Sequence, residues 1–431
     1  MKILLIFILI SLPLMLYAEE NLTLEKAIEI GLKNNYGLII AKNELEIIKN
    51  NVSIGNAGFL PKIDLFGSAE ISTNNVHQKS ITGFSLDKEG APADAINAGI
   101  AAKWTAFDGM QMFKKYESLK IQENIENFQQ KIKIENTIIQ ISDLYFNIIK
   151  QGSLVDYWNE HLKLSYFRTE IAKISFEQGI GSELDYLKAQ VEQNFDASDL
   201  EKQKAVLTSL KASMNEVLSR NIETDFAIKD SIPTISQIEY QTALENMLSK
   251  NKELLASEQN KELSSLEADL VLSKYYPSID FRIGANYFNS TSRASQISRN
   301  YGFALTLGVS ANFNIFDGGN DSRKLENSYI NIINADLKNK QLSLWLEAHL
   351  YRVYQDYLVN KQLINIEKEN IIFAEKNMLF AQESYKNGSI SSLEFREAQQ
   401  NLLEAKYRLI FSKFNAKINE LELFLISGQI Y

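Results

Sequence analysis

The chain has 431 residues, 45% of them apolar, and a formal net charge of -9. That length and apolar content exclude a disordered polymer and leave room for two or three domains. An acidic balance without a basic cluster argues against nucleic acid as a partner, and the lack of cysteine removes disulfides and thiol-linked lipid anchors.

Lys2, the apolar run from Ile3 to Tyr17 and the small Ala18 before Glu19-Glu20 read as a secretory signal peptide over residues 1–18. Beyond it no window approaches eighteen uninterrupted apolar residues, so no transmembrane helix is expected. The mature chain then divides into two repeats, residues 19–232 and 233–431.

In the first repeat, residues 24–58 read as helix, and Pro61 punctuates its end. Ile63, Leu65, Gly67, Ala69 and Ile71 alternate with Asp64, Phe66, Ser68, Glu70 and Ser72, and a second strand follows over Ile96 to Phe107, giving a hairpin at 62–107. Residues 112–178 contain a single glycine, Gly152, and predict one helix about 100 Å long. Ile121, Ile125, Phe128 and Ile132 step along it by four, three and four, the spacing of coiled-coil packing. A tight turn at Gly179 leads into a helix over 183–220.

The second repeat has the same order: helix 240–274, hairpin 278–315, long helix 321–387, turn at Gly388 and helix 391–426. Phe107-Asp108-Gly109 recurs as Phe316-Asp317-Gly318, a shift of 209 residues, and Gly179, Ser182, Leu184, Ala189 and Gln190 recur at the same shift as Gly388, Ser391, Leu393, Ala398 and Gln399. Earlier in each half the shift is 216, matching Pro61 to Pro277, so a length change falls between Pro61 and Phe107, as an exposed loop tolerates. On the second long helix Ile330, Leu337, Leu344, Tyr351 and Leu358 recur every seven residues.

A half-buried soluble sheet would also alternate. Strands of ten to thirteen residues with aromatics on the apolar face instead suit a tilted crossing of a bilayer. Four strands cannot close a barrel and lipid forbids open edges, so several copies must share one. No catalytic constellation is evident: His77, His161 and His349 are scattered and read as solvent or lumen residues, no phosphate-binding loop occurs, and neither metal nor cofactor is expected.

The order of elements, the Phe-Asp-Gly motif and the Gly-x-x-Ser-x-x-x-x-x-Ala-Gln turn, each in two copies, resemble the TolC-like outer-membrane efflux protein family over essentially the whole mature chain. The resemblance implies an α+β membrane protein, a homotrimer with a long coiled-coil α-helical barrel and a shared 12-stranded transmembrane β-barrel, four strands from each chain. It implies an outer-membrane location with a large periplasmic part, and no enzyme. The function would be that of a passive exit duct in efflux or type I secretion, with outer-membrane lipid, a periplasmic adaptor (membrane fusion) protein and an inner-membrane pump or ABC transporter as partners. The rival reading is an exported periplasmic coiled-coil structural or adaptor protein.

By the same resemblance Glu394 and Glu397 occupy the positions of acids that ring the aperture, although ordinary solvated acids on a helix surface are the commoner reading of the residues alone. Asp185 and Tyr385 match a closing link between neighbouring helices. Ile390 stands where some relatives carry an arginine, and Lys188 is a candidate substitute. Gly179, Ile180, Gly388 and Ser389 correspond to the tips that meet the adaptor, although a glycine ending a helix needs no partner to explain it.

Overall fold

The computed structural model describes residues 20–295 and 297–430, so the expected signal peptide lies outside the described residues. The elements are β1 (Glu20–Asn21), α1 (Leu24–Asn34), α2 (Tyr36–Asn51), α3 (Ile54–Ala57), β2 (Lys62–Lys79), β3 (Ser85–Asp108), α4 (Gln111–Glu177) and α5 (Glu183–Val217). There follow β4 (Phe226–Ala227), α6 (Tyr240–Lys250), α7 (Lys252–Leu272), β5 (Ser278–Ser292), β6 (Arg299–Asn312), α8 (Asn320–Lys386) and α9 (Ser392–Ile426). The chain is mostly helical with one four-stranded antiparallel sheet.

The stretches read as single helices over 24–58 and 240–274 are broken, and the main break in each falls on a repeat-related asparagine. Asn35 and Asn251 turn out of the helical region, with ψ of 119° and 122°. Their amides donate to the carbonyls of Val217 at 2.8 Å and Ile426 at 2.9 Å, the last residues of α5 and α9. A helix end leaves such carbonyls without an intrahelical partner, and asparagine competes well against continued helix by bonding backbone. One side chain therefore ends one helix and caps another, in both repeats.

Two compact units divide the chain. The first comprises the described residues to Ala41, Lys131–Asn251, and those from Trp345 onward. In its core Leu22, Ile141, Phe146, Met214, Leu218 and Phe226 pack together, and β1 runs parallel to β4. Tyr145 is buried beside them and donates to the Leu22 carbonyl and to Asp230.

The second unit comprises Lys42–Gln130 and Lys252–Leu344 and contains the sheet, in the order β2-β3-β5-β6 with every pair antiparallel. Register makes its faces unlike. Ile63, Ala102, Ile283 and Leu307 form one row across the strands, and Leu65, Ile100, Ala285 and Leu305 the next on that face. The opposite face carries Asp64, Ala101, Gly284 and Thr306 in one row and Phe66, Gly99, Asn286 and Ala304 in another. The apolar face is open: Leu65 is 85% exposed and Leu307 79%. Outer strands β2 and β6 each have one side without a partner strand among the described residues.

β3 begins at Ser85, eleven residues before the expected Ile96. The β2–β3 ladder runs on to Lys79↔Ser85, whereas β5 ends where Ser292 meets Ala93. A bulge between Asn74 and Val76 marks the departure, with the Gly90 amide donating to Asn75 at 2.7 Å. Polar Lys88-Glu89-Gly90 interrupts the apolar alternation there, which is why the strand was not visible in the pattern.

The repeated Phe-Asp-Gly motif turns strand toward helix. Asp108 accepts from the Met112 amide at 3.0 Å, and Asp317 from the Asn320 and Asp321 amides at 2.8 and 2.9 Å, so both aspartates satisfy free donors at a helix start. On α8, the heptad positions Ile330, Leu337, Leu344 and Tyr351 are exposed, while the helix buries Leu346, Leu350, Val353 and Tyr357 instead. Among the described residues, Ile330, Leu337 and Leu344 of this stripe stay about half exposed or more, while the Tyr351 ring packs edge-on against Tyr240 of α6 at 5.9 Å.

Candidate functional site

Both turns joining a long helix to its successor close in the same way. Gly179 donates to the Phe176 carbonyl and Ile180 to that of Ser175; Gly388 donates to Tyr385 and Ser389 to Ser384. Each glycine adopts a positive φ, 73° and 71°, the left-handed backbone that this helix-ending motif requires. Ile180 and Ser389 stand exposed at the tips.

Each turn carries an aromatic pair, with its polar member exchanged. Phe176 stacks on Tyr186 with centroids 6.4 Å apart, and at the positions 209 residues later Tyr385 meets Phe395 at 5.0 Å. The second pair is buried with Met378, Ala381 and Ala398, and Phe167, Ile171 and Ile390 pack against it. Ile390 therefore fills the core of this turn. Burial raises the Tyr385 pKa, Ser392 and Arg168 act against that, and the Asp185 charge adds to it. Within one chain Asp185 acts on Tyr385 through space, while the hydroxyl bonds Ser392.

Asp185 and Glu394 are equivalent positions of the two repeats, and only the second forms a full capping box. Ser391 accepts from the Glu394 amide at 3.3 Å, and the Glu394 carboxylate accepts from the Ser391 backbone at 2.7 Å. Ser182 accepts from Leu184 instead. The backbone hydrogen bond from Ser391, then its hydroxyl, hold the Glu394 carboxyl below the usual glutamate range. Glu394 and Glu397 both lie on the exposed side of α9, and Lys188, the counterpart of Glu397, is exposed on α5. Glu394 is thus turned back onto its own helix end while Glu397 is held by no such box.

Between those two acids, Arg396 turns the other way into a buried polar network. Its guanidinium grips Asp196 of α5 with two bonds, 2.6 and 2.8 Å, a bidentate geometry that fits the carboxylate plane. Ser165 of α4 donates to the same carboxylate, His161 lies 3.5 Å from it, and Gln399 donates to Ser165 at 2.6 Å and to the His161 carbonyl at 2.7 Å. Arg168, almost wholly buried, reaches Glu192 at 2.6 Å, and Arg396 approaches that same carboxylate at 3.4 Å. Burial alone would raise the Asp196 pKa. Hydrogen bonds from His161, Arg396 and Ser165 outweigh it and hold the group far below the ordinary aspartate range. Two arginines face two acids in a cluster that ties α4, α5 and α9 together.

His161, expected in solvent or lumen, is 4% exposed. Arg396 faces Asp196 and Trp158 packs edge-on at 5.2 Å, which explains a histidine inside. Among the described residues no group of three or more His, Cys, Asp or Glu is arranged to hold a metal ion.

A family model described as outer membrane efflux protein matches residues 28–211 and 243–429, one span in each repeat. The chain belongs to the outer membrane efflux protein family. No curated protein matches it significantly in sequence. The outer membrane efflux fold is also that of solved channels. The outer-membrane channel OprN is 16% identical with a TM-score of 0.77, covering 94% of this chain and 89% of that one. The Campylobacter jejuni CmeC outer membrane channel is 14% identical with a TM-score of 0.79, over 95% of this chain and 86% of that one. The outer membrane protein VceC from Vibrio cholerae is 13% identical at 0.74, over 94% and 96%.

Sequence reasoning missed the Asp196–Arg396 network of this outer membrane efflux protein. Asp196 and Arg396 lie 200 residues apart and in unmatched positions, so repeat comparison is blind to them. One usable signal was Arg396 itself, a cation between two glutamates on a helix already expected to show them outward.

Proposed function

We propose that this outer membrane efflux protein works as a homotrimeric passive exit duct across the outer membrane and the periplasm. The observation that carries the reading is the sheet: one face is apolar in every strand, and both edges lack a partner strand among the described residues. Lipid would cover that face but cannot satisfy the edges. A second copy pairing its β6 with β2 satisfies them, and twelve strands suffice to enclose a lumen. The exposed heptad stripe of α8 supports the same oligomer, with helices of neighbouring copies meeting in a coiled-coil wall.

At the turn end, Glu394 and Glu397 of three chains form an acidic neck that attracts cations and resists anions. Asp185 of one helix pair and Tyr385 of its neighbour hold the neck closed, with Lys188 on the first turn as the candidate substitute for the arginine that Ile390 replaces. The tips at Gly179, Ile180, Gly388 and Ser389 meet a periplasmic adaptor protein, through which an inner-membrane pump or ABC transporter delivers cargo. The duct performs no chemistry of its own.

Reconstitution into planar bilayers is the test. Purified protein should run as a trimer and give ion-conducting, cation-selective channels, and Glu394→Ala with Glu397→Ala should weaken both the selectivity and the block by multivalent cations. Recovery of the protein in a detergent-free soluble fraction would rule the duct out, and unchanged block in the double variant would rule out the neck.

A further inference from the structure

The polar face of the sheet gathers its basic residues at one level. Lys62, Lys103 and Arg282 occupy a single cross-strand row on β2, β3 and β5, completed by Gly308 on β6. On that face they are the only lysines or arginines of the stretch where all four strands are paired. Neighbouring strands run about 4.8 Å apart, and like charges placed directly opposite one another destabilise a sheet unless countered. Two acids in adjoining rows counter them in part: Asp64 lies 3.1 Å from Lys62, and Asp280 3.3 Å from Lys103. Three cations against two acids leave one positive charge per chain without a carboxylate of its own.

Beside the row a groove of about 280 Å³ opens over the small residues Ala101 and Gly284, with Lys103, Arg282, Asn286 and Thr306 along it and Asp64, the partner of Lys62, at its side. An amide and a hydroxyl thus stand next to the surplus charge. On the opposite, apolar face, Trp104 stacks on Phe281 at 5.8 Å in the adjoining row. Aromatic pairs of this kind mark the water interface of a bilayer-spanning sheet. The cation row therefore sits at the membrane boundary on the helix-joined end of the strands, facing away from lipid.

We propose that Lys62, Lys103 and Arg282, with Asn286 and Thr306, form a binding site for soluble multivalent oxyanions on the lumen face at the mouth of the β-barrel. The inference rests on the duct reading, in which three copies bring nine cations into one ring. Its position on the polar face selects solutes in the lumen over lipid headgroups. A ring of this sign and an acidic neck select in opposite senses, so a polyanion is retained at the ring.

Inorganic tripolyphosphate added to either side of the full-length trimer in a planar bilayer is the probe. Block of the current is expected, weakening with salt as screening shortens. Lys62→Gln with Arg282→Gln leaves the Lys103–Asp280 pair intact, so the strands keep their buried acid countered; the apparent affinity for tripolyphosphate should fall about tenfold. Arg282→Lys should retain most of the block, and multivalent-cation block at the neck should not change in either variant. Normal conductance with no block in the parent, or block in the double variant within a factor of about two of the parent, overturns the site while leaving the duct in place. Absence of any conductance overturns the duct and this inference with it.

Discussion

Replacing Asp196 with alanine removes the one acceptor shared by Arg396, Ser165 and His161 and leaves the guanidinium facing a cavity. Asp196 is 2% exposed and its two bonds to Arg396 are 2.6 and 2.8 Å. Breaking a buried pair from one side costs about 3–5 kcal/mol, because the partner charge is stranded. At roughly 1 °C per kcal/mol for a chain of this size, the midpoint of thermal unfolding should fall by about 3–5 °C. Circular dichroism of trimers in detergent at a fixed scan rate measures it, since unfolding of such proteins is commonly irreversible. Arg396→Met should cost a similar amount, and the double variant less than the sum, with a coupling of about 2–3 kcal/mol. The pH course has a definite sign. Asp196 has a depressed folded pKa, so its contribution is fully present above the unfolded value of about 3.9 and is lost as pH falls through the lower folded value. The gap between parent and Asp196→Ala should be flat from neutral pH to about 5 and close only in strong acid. Additive losses, or an Asp196→Ala midpoint within about 1 °C of the parent, would refute the lock.

At the turns, Gly388→Ala meets open space but must hold a φ of 71°, so it should cost about 1–2 kcal/mol, with Gly179→Ala close to it. Midpoints of the two variants decide this. Gly109→Ala is a different case: its new methyl carbon would come 2.2 Å from the Ser273 carbonyl oxygen, so its loss should clearly exceed that of Gly388→Ala. Ser391→Ala removes the hydroxyl half of the capping box, costing about 1 kcal/mol, and, because the Ser391 backbone bond to Glu394 remains, releases the Glu394 carboxyl only part of the way toward the ordinary glutamate value. Because the parent value is depressed, cation selectivity titrated downward from pH 7 should persist to lower pH in the parent than in Ser391→Ala. Phe395→Ala, emptying a fully buried ring site, should lose about 3–5 kcal/mol, measured by the same unfolding scans.

The fold was legible where one physical rule acted locally. Alternation at Ile279 to Tyr287 depends only on which face meets lipid, and the glycine-free run after Asp321 depends only on helix propensity. Asn35 and Asn251 were not legible, because asparagine is tolerated in helices and its break is fixed by a carbonyl 182 or 175 residues away. The outer part of β3 was hidden for a related reason: where neither face is apolar, a strand leaves no period in the sequence. In the candidate site, turn glycines announced themselves through their backbone requirement. The Asp196–Arg396 pair did not, since a charged residue on a polar helix looks the same whether it meets water or a buried partner.

The exchanged aromatic pairs bear on how unlike hairpins arise from a repeated chain. Phe176 with Tyr186 and Tyr385 with Phe395 hold equivalent sequence positions with the same two side chains, so the two hairpins differ there by a single oxygen that has changed sides. A duplication begins with identical halves, and a ring built from them treats every hairpin alike. Moving one hydroxyl across the turn distinguishes alternate hairpins at almost no cost in volume. An isosteric exchange therefore sets the two hairpins apart chemically.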